Sequence, residues 1–525
     1  MKILLKNGMI YDGNGGKPYS GSILIEDEKI LDAAQNINAA ADKIIDCSGL
    51  CIAPGFIDAH SHNDFFAGRE NSEKYFTPFL RQGITTQITG NCGFAPFGVD
   101  KDSPHRDAIG GGLFTADNTG SFAEFIKNTE GKLYLNIAPL VGHGSIRTGI
   151  TRFESVSFNK EQIEKMIYHV DEAMGNGAFG GSFGFMYEPG MYSKKDEVFA
   201  FARRIAKYDG ILTVHPRACS KFALGYPLLF SKPHIELGLD EAAEIVKQTG
   251  VRTEYSHLIF VGESSWSSCK PMLKKFHKLN EQGYSFGYDN YSFSYGASII
   301  TVFLPAWYMA LTAEERSKPS VRLKLKILIN ITKKLLGLDF CDFTIAYISD
   351  EHKQYEGKTI AQCAEEEGIP SFDMYLKLVD LSNGKGRILA GKYYNEKIIL
   401  TLMKDELSVF MTDAWVEDSG VQNGAAFQSF PYFLTRAREN KIPLETVIHK
   451  MTGKTAQRFK IKNRGVLAAG NYADITVFDY DSISVKPDIP DFTPEGIRYV
   501  FVNGTMPLDN GSQNLLTSGK ILFKG

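Results

Sequence analysis

Short apolar runs alternating with helix-like segments dominate the middle of the chain. Eight such runs recur, at residues 55–60, 85–89, 133–140, 181–185, 211–215, 251–257, 284–288 and 407–412. Helix-like stretches such as 160–174, 196–208 and 240–249 fall between them. Strands that alternate with helices predict a parallel α/β sheet, and eight such units closed on themselves make a (β/α)8 TIM-like barrel. The active site of such a barrel lies at the C-terminal ends of its strands. One unit is oversized. Residues 290–406, after the seventh run, predict a lid insertion at about 295–400 above the catalytic face.

The two ends of the chain read differently. Ile3-Leu4-Leu5, Ser22-Ile23-Leu24-Ile25 and Lys43-Ile44-Ile45-Asp46 are strand-like runs bounded by Gly, Asn and Asp. The tail repeats the style in 473–479, 500–504 and 520–523. Neither end alone has enough strands for a stable sheet. Together they predict one small β-sandwich-like domain, residues 1–54 plus 464–525, beside a barrel at 55–463.

Composition narrows the class. The chain has 525 residues, more than the roughly 250–300 at which single cores stop growing, which fits a large domain plus a smaller one. A formal net charge of −3, with no basic run beside an aromatic platform, leaves no footprint for nucleic acid or an anionic membrane. No apolar stretch reaches the length of a membrane span, and the first residues lack a signal-peptide pattern. Seven scattered cysteines without zinc-finger spacing suit a reducing cytoplasm. The expected partner is a small molecule.

The polar residues of interest sit where the predicted strands end: His60, His62, Cys92, His143, Glu188, His215, His257, Asp289 and Asp413. Five of the eleven histidines are among them, which a random scatter would not produce. His60 and His62 fall on one side of a strand because side chains alternate with period two, and two neutral imidazoles there make a clamp for a divalent metal. Cys92 lies in Gly90-Asn91-Cys92-Gly93. It reads either as a small core hydrophobe or as a thiolate ligand. His215 and His257 end consecutive strands, which favours ligation over two separate core histidines. Asp413 reads as a helix N-cap or as a carboxylate beside His60 and His62, since strand eight closes on strand one.

Taken together, His60-x-His62, Cys92, His215, His257 and Asp413 resemble the set of the amidohydrolase superfamily, in its D-aminoacylase branch. The resemblance covers nearly the whole chain. Pro54-Gly55-Phe56-Ile57-Asp58, Leu140-Val141-Gly142-His143-Gly144, Gly184-Phe185-Met186-Tyr187-Glu188-Pro189-Gly190 and Tyr288-Asp289-Asn290-Tyr291 match it as well. It implies zinc-dependent hydrolysis of a linear amide in an N-acyl-amino-acid-like substrate, a carbon–nitrogen bond other than a peptide bond. It also implies a tightly bound zinc on Cys92, His215 and His257, and a second, weaker site on His60, His62 and Cys92. Asp413 becomes the general base and acid. His143, Tyr187, Glu188, Arg217 and Tyr291 are its substrate-side candidates, with His143 open between oxyanion donor and orienting residue.

The departures are informative. The branch typically carries a lysine after the strand-six histidine and a His-Pro-Arg after the strand-eight aspartate. Here the chain reads Leu258-Ile259-Phe260 and Gln422 through Pro431, with no base in either stretch. Of the usual carboxylate-binding set only Tyr291 remains. Losing a charged partner of a buried carboxylate costs on the order of 2–5 kcal/mol. Arg217 or a residue of the insertion would have to replace it, or the substrate is an uncharged or differently charged amide. Two alternatives accompany this reading: a cyclic-amide hydrolase of hydantoinase or dihydroorotase type, and a non-catalytic binding relative. Against the first stands the lack of a lysine in residues 180–189 to bridge two metals; against the second, the complete donor set.

Overall fold

The structure, a computed structural model, describes every residue except 112, 115–118, 224–225 and 227–231. Eight parallel strands follow the predicted runs: β1 (Phe56–Asp58), β2 (Ile84–Thr89), β3 (Asn136–Gly142), β4 (Gly180–Gly184), β5 (Ile211–His215), β6 (Arg252–Tyr255), β7 (Phe286–Asn290) and β8 (Ser408–Phe410). They pair in sequence order from β1 to β8. The ring then closes through backbone bonds just beyond the strands. Ala59 N–H donates to the Phe410 carbonyl (3.1 Å) and Asp413 N–H to the His60 carbonyl (2.8 Å). Most of these strands are buried at every position, because helices cover the outer face and side chains fill the interior.

The covering helices carry their own boundary signals. Lys160–Gly175 starts with a capping box between Asn159 and Gln162. His234–Thr249 stops at Gly250, which takes the left-handed conformation (φ +68°) that ends a helix.

Both termini build one nine-stranded sheet. Its path runs Ser512–Gln513, Thr505–Asp509, Ile497–Val502, Ile475–Phe478, Cys51–Pro54, Lys2–Ile10, Tyr19–Glu26 and Lys29–Ala34, with Lys43–Asp46 also paired to Lys2–Ile10. One expectation fails. The run 520–523 does not join this sheet. It lies along β3, with Ile137 N–H donating to Lys520 carbonyl and Leu522 N–H to Ile137 carbonyl. β4 pairs with β3 only from Leu140 onward, so the tail satisfies backbone groups that β4 leaves open.

Between β7 and β8 the chain forms a three-stranded antiparallel sheet, Gly296–Ile299, Arg387–Ala390 and Phe343–Tyr347, and several helices including Pro319–Leu336. The C-terminal end of that helix packs on the loop after His257: a side chain on Gly262 would meet the Leu336 carbonyl. The insertion therefore rests on the catalytic end of the barrel.

Candidate metal centre

Six donors converge at the C-terminal end of the barrel. Cys92 Sγ lies 3.3 Å from His60 Nε2, 3.4 Å from His215 Nδ1 and 3.6 Å from His257 Nε2. Asp413 Oδ1 lies 3.3 Å from the Nε2 atoms of both His60 and His62. Two overlapping groups result, His60–His62–Cys92–Asp413 and Cys92–His215–His257, sharing the thiol.

Backbone conformation aims these groups. Cys92 (φ +54°), His257 (φ +36°) and Asp413 (φ +42°) all take the left-handed region. That conformation costs a non-glycine residue about 1–2 kcal/mol. Half of the six donors carry it, which is where strain serves to point a side chain. Glycines make room for the Cys92 turn. A Cβ on Gly90 would sit 1.9 Å from the Leu140 carbonyl, and one on Gly184 would sit 2.1 Å from the Cys92 carbonyl.

The outer shell fixes the rings. Asp289 on β7 accepts from His60 Nδ1 (3.3 Å) and from the His257 backbone N–H. Asp58 on β1 accepts from Thr412 N–H (2.9 Å), Thr412 hydroxyl (2.6 Å), Gln87 Nε2 (3.1 Å) and His60 N–H (3.2 Å), which ties β8 to β1 under the two histidines. Tyr291 donates its hydroxyl to Asp413 Oδ2. Above the donors stands an aromatic wall. Phe114 stacks on His62 (centroids 5.1 Å), Trp415 meets both rings edge-on, and Tyr187 lies against His215 (4.5 Å).

The electrostatics suit a cation. Burial pushes His60 and His62 down, His215 further, and His257 to about 4, so the imidazoles stay neutral with lone pairs available. Burial opposes ionisation of Asp413, but the protonated forms of His60, His62 and His257 outweigh it and hold the carboxyl well below its usual range, a positive charge that a bound cation would supply while the imidazoles are neutral. Burial, with Asp413 and Asp289 nearby, pushes the Cys92 thiol well up. A bound cation reverses that, because a coordinating thiol is deprotonated outright. The spacing fits as well. With zinc–sulfur near 2.3 Å and zinc–nitrogen near 2.0–2.1 Å, tetrahedral ligand atoms stand about 3.5 Å apart.

Not every candidate reaches this place. His143 is fully buried behind β4, with its ring on Phe183 and Phe201. Its Nε2 meets Glu197 (2.9 Å), whose carboxylate also takes Arg147 (2.6 and 2.7 Å), so His143 belongs to a packed ion network. Glu188 is exposed and accepts from the Tyr192 hydroxyl. Arg217 is held by Glu241 (3.0–3.3 Å) and donates to the Met191 carbonyl, so its guanidinium already has a carboxylate. Tyr187 and Tyr291 do stand at the donors. Asp58, Phe114 and Trp415 also reach the site, though the sequence does not single them out, and Asp289, expected only as a strand-end carboxylate, contacts His60 and His257. The available signals were Asp58 two residues before His60, Asp289 at the end of β7, and Trp415 two residues after Asp413. Phe114 has no local signal.

Comparison with known proteins agrees with this geometry. A model of the Amidohydrolase family matches residues 352–506. The D-aminoacylase of Alcaligenes xylosoxydans xylosoxydans is 26% identical over 513 residues, 96% of this chain and 93% of that protein. The N-acyl-D-glutamate deacylase of the same organism is 25% identical, again over 96% and 93%. Among solved structures, N-acyl-D-glutamate deacylase from Bordetella bronchiseptica, complexed with zinc and a phosphonate mimic of the tetrahedral intermediate, superposes with TM-score 0.80 at 22% identity, covering 99% of both chains.

Proposed function

Because the chain belongs to the amidohydrolase superfamily, in its D-aminoacylase branch, we propose that it is a zinc-dependent deacylase of N-acyl-amino-acid-like amides. The observation that carries this reading is the convergence of Cys92 Sγ with three imidazole nitrogens beside Asp413. Cys92, His215 and His257 would hold the tight ion, and His60 and His62 with Cys92 a looser one. A bound zinc supplies Lewis acidity, activating water and polarising the scissile carbonyl. Asp413 takes the proton from water and passes it to the leaving amine, the task of an ionised carboxylate within reach of both. Tyr291 holds the second oxygen of Asp413, so the first faces the donors. Phe114 and Trp415 receive an apolar acyl or aryl group.

The substrate's other end is less conventional. Ile259 occupies the stretch where the branch places a base, and Arg217 is already paired with Glu241. The amine portion is therefore a capped or amidated amino acid in preference to one with a free carboxylate. Seven unpaired cysteines fit a cytoplasmic location. The test is metal analysis of the purified chain with a panel of N-acyl D- and L-amino acids and their amides. At least one zinc per chain and faster cleavage of the amides are expected. Less than one transition metal, with no hydrolysis restored by zinc, refutes the proposal.

A further inference from the structure

The helix Pro319–Leu336 of the insertion has two apolar faces. Leu325, Ile329 and Leu336 pack inward. Leu323, Ile327, Ile331 and Leu335, spaced four apart, are 50–59% exposed. Side chains four residues apart share a helix face, so these make one continuous stripe open to water. Within the same helix stand Arg322, Lys324, Lys326, Lys333 and Lys334, and no Asp or Glu. These five positive charges, two of them ion-paired, are hidden in a chain whose net charge is −3. Arg322 and Lys333 are tied to Asp373 and Asp339. Lys324 and Lys326 are exposed and lie over the rings of Trp307 and Phe372, and Lys334 is exposed within the stripe itself.

We propose that this helix binds an anionic lipid surface, lying in the headgroup layer and seating the catalytic end of the barrel against it. An apolar stripe interleaved with lysines is the pattern of an interfacial helix: the stripe enters the acyl boundary while the ammonium groups remain at the phosphates. The helix spans about 27 Å at 1.5 Å per residue, and no helix among the described residues is long and apolar enough to cross a membrane. It lies on the bilayer; it does not span it. Charge argues against a second copy as the occupant. A two-fold contact would set this cationic face against itself. An acidic protein groove could meet the charge, but Lys334 stands within the stripe and Lys324 and Lys326 are exposed beside it, which matches a surface that is anionic throughout. The net charge of −3 averages over the whole chain and so hides this local cationic helix.

The test is co-sedimentation of the full chain with phosphatidylcholine vesicles, with and without phosphatidylglycerol. Ile327→Glu/Ile331→Glu and Lys324→Glu/Lys326→Glu/Lys334→Glu alter exposed positions, and Tm and metal content check that both variants fold. The wild type is expected to sediment with the anionic vesicles and much less with phosphatidylcholine alone. Each variant is expected to lose at least about tenfold in partitioning, and salt to weaken binding. Three results overturn the proposal: wild type left in the supernatant with anionic vesicles, variants that bind as well as wild type, or a wild-type dimer in light scattering that Ile327→Glu/Ile331→Glu dissociates. Vesicle binding is read without any substrate, so its failure is independent of the deacylase reading.

Discussion

Two buried histidine–carboxylate groups lie at neighbouring places in this barrel, and their chemistry differs. In one, His143 meets Glu197, and Arg147 closes the carboxylate from the other side. The set is neutralised internally, and the His143 ring is packed on phenylalanines. In the other, His60, His62, His215 and His257 turn their nitrogens toward a shared thiol and Asp413, with no guanidinium or ammonium among the donors. A buried histidine beside a carboxylate is therefore no sign of a metal site in itself. What separates the groups is whether a protein cation already balances the carboxylate. The strand-end position they share does not separate them.

The comparison breaks first at Asp413. Asp413→Asn is expected to lower kcat by about 10²–10⁴, the usual worth of a positioned acid–base group, while zinc stays bound. Steady-state kinetics with metal analysis on the same sample checks both halves. Glu197→Gln acts on the other group. It is expected to cost about 3–5 kcal/mol of stability, since Arg147 is left buried without its carboxylate, and to leave zinc content unchanged. Denaturant unfolding measures it.

The same network predicts a pH dependence. Burial opposes ionisation of Glu197, but His143 and Arg147 outweigh it and lower its pKa below the ordinary 4.5. The unfolded chain then binds more protons near that pH, so this stability is present above about pH 4.5 and is lost as pH falls through the folded value. Wild-type stability should fall more steeply than that of Glu197→Gln over that acid range. Asp289→Asn, which weakens the orientation of His60 and His257, is expected to reduce metal affinity about 10–100-fold, read by competition with a chelator. Glu188→Gln sharpens the boundary of the site. As an exposed residue outside the donors, it should change stability by no more than about 0.5 kcal/mol and leave kcat nearly untouched.

Much of this was legible in the chain before any coordinates. The eight strand runs are apolar and short, bounded by turn residues, and β2, β4 and β5 lie within one residue of expectation at each end. β3 and β7 are shifted later by about two residues, because Leu133 and Tyr284 are apolar residues of the entering loops and period alone cannot tell a buried loop residue from a strand residue. Donor residues were visible because strand ends are where a barrel presents them. His143, Glu188 and Arg217 also follow strands, yet each is claimed by a partner remote in sequence or faces solvent. No local pattern carries that information. Phe114 likewise reaches His62 only through tertiary packing.

The account rests on Cys92 as the shared ligand, and cobalt substitution tests this most directly. The cobalt-loaded wild type should show a near-ultraviolet thiolate-to-cobalt charge-transfer band. Cys219, buried nearby with its thiol pushed up to about 12, is outside the donor set and serves as the control. The band should disappear in Cys92→Ser and persist in Cys219→Ser. A band that survives in Cys92→Ser, or vanishes only in Cys219→Ser, would contradict the assignment.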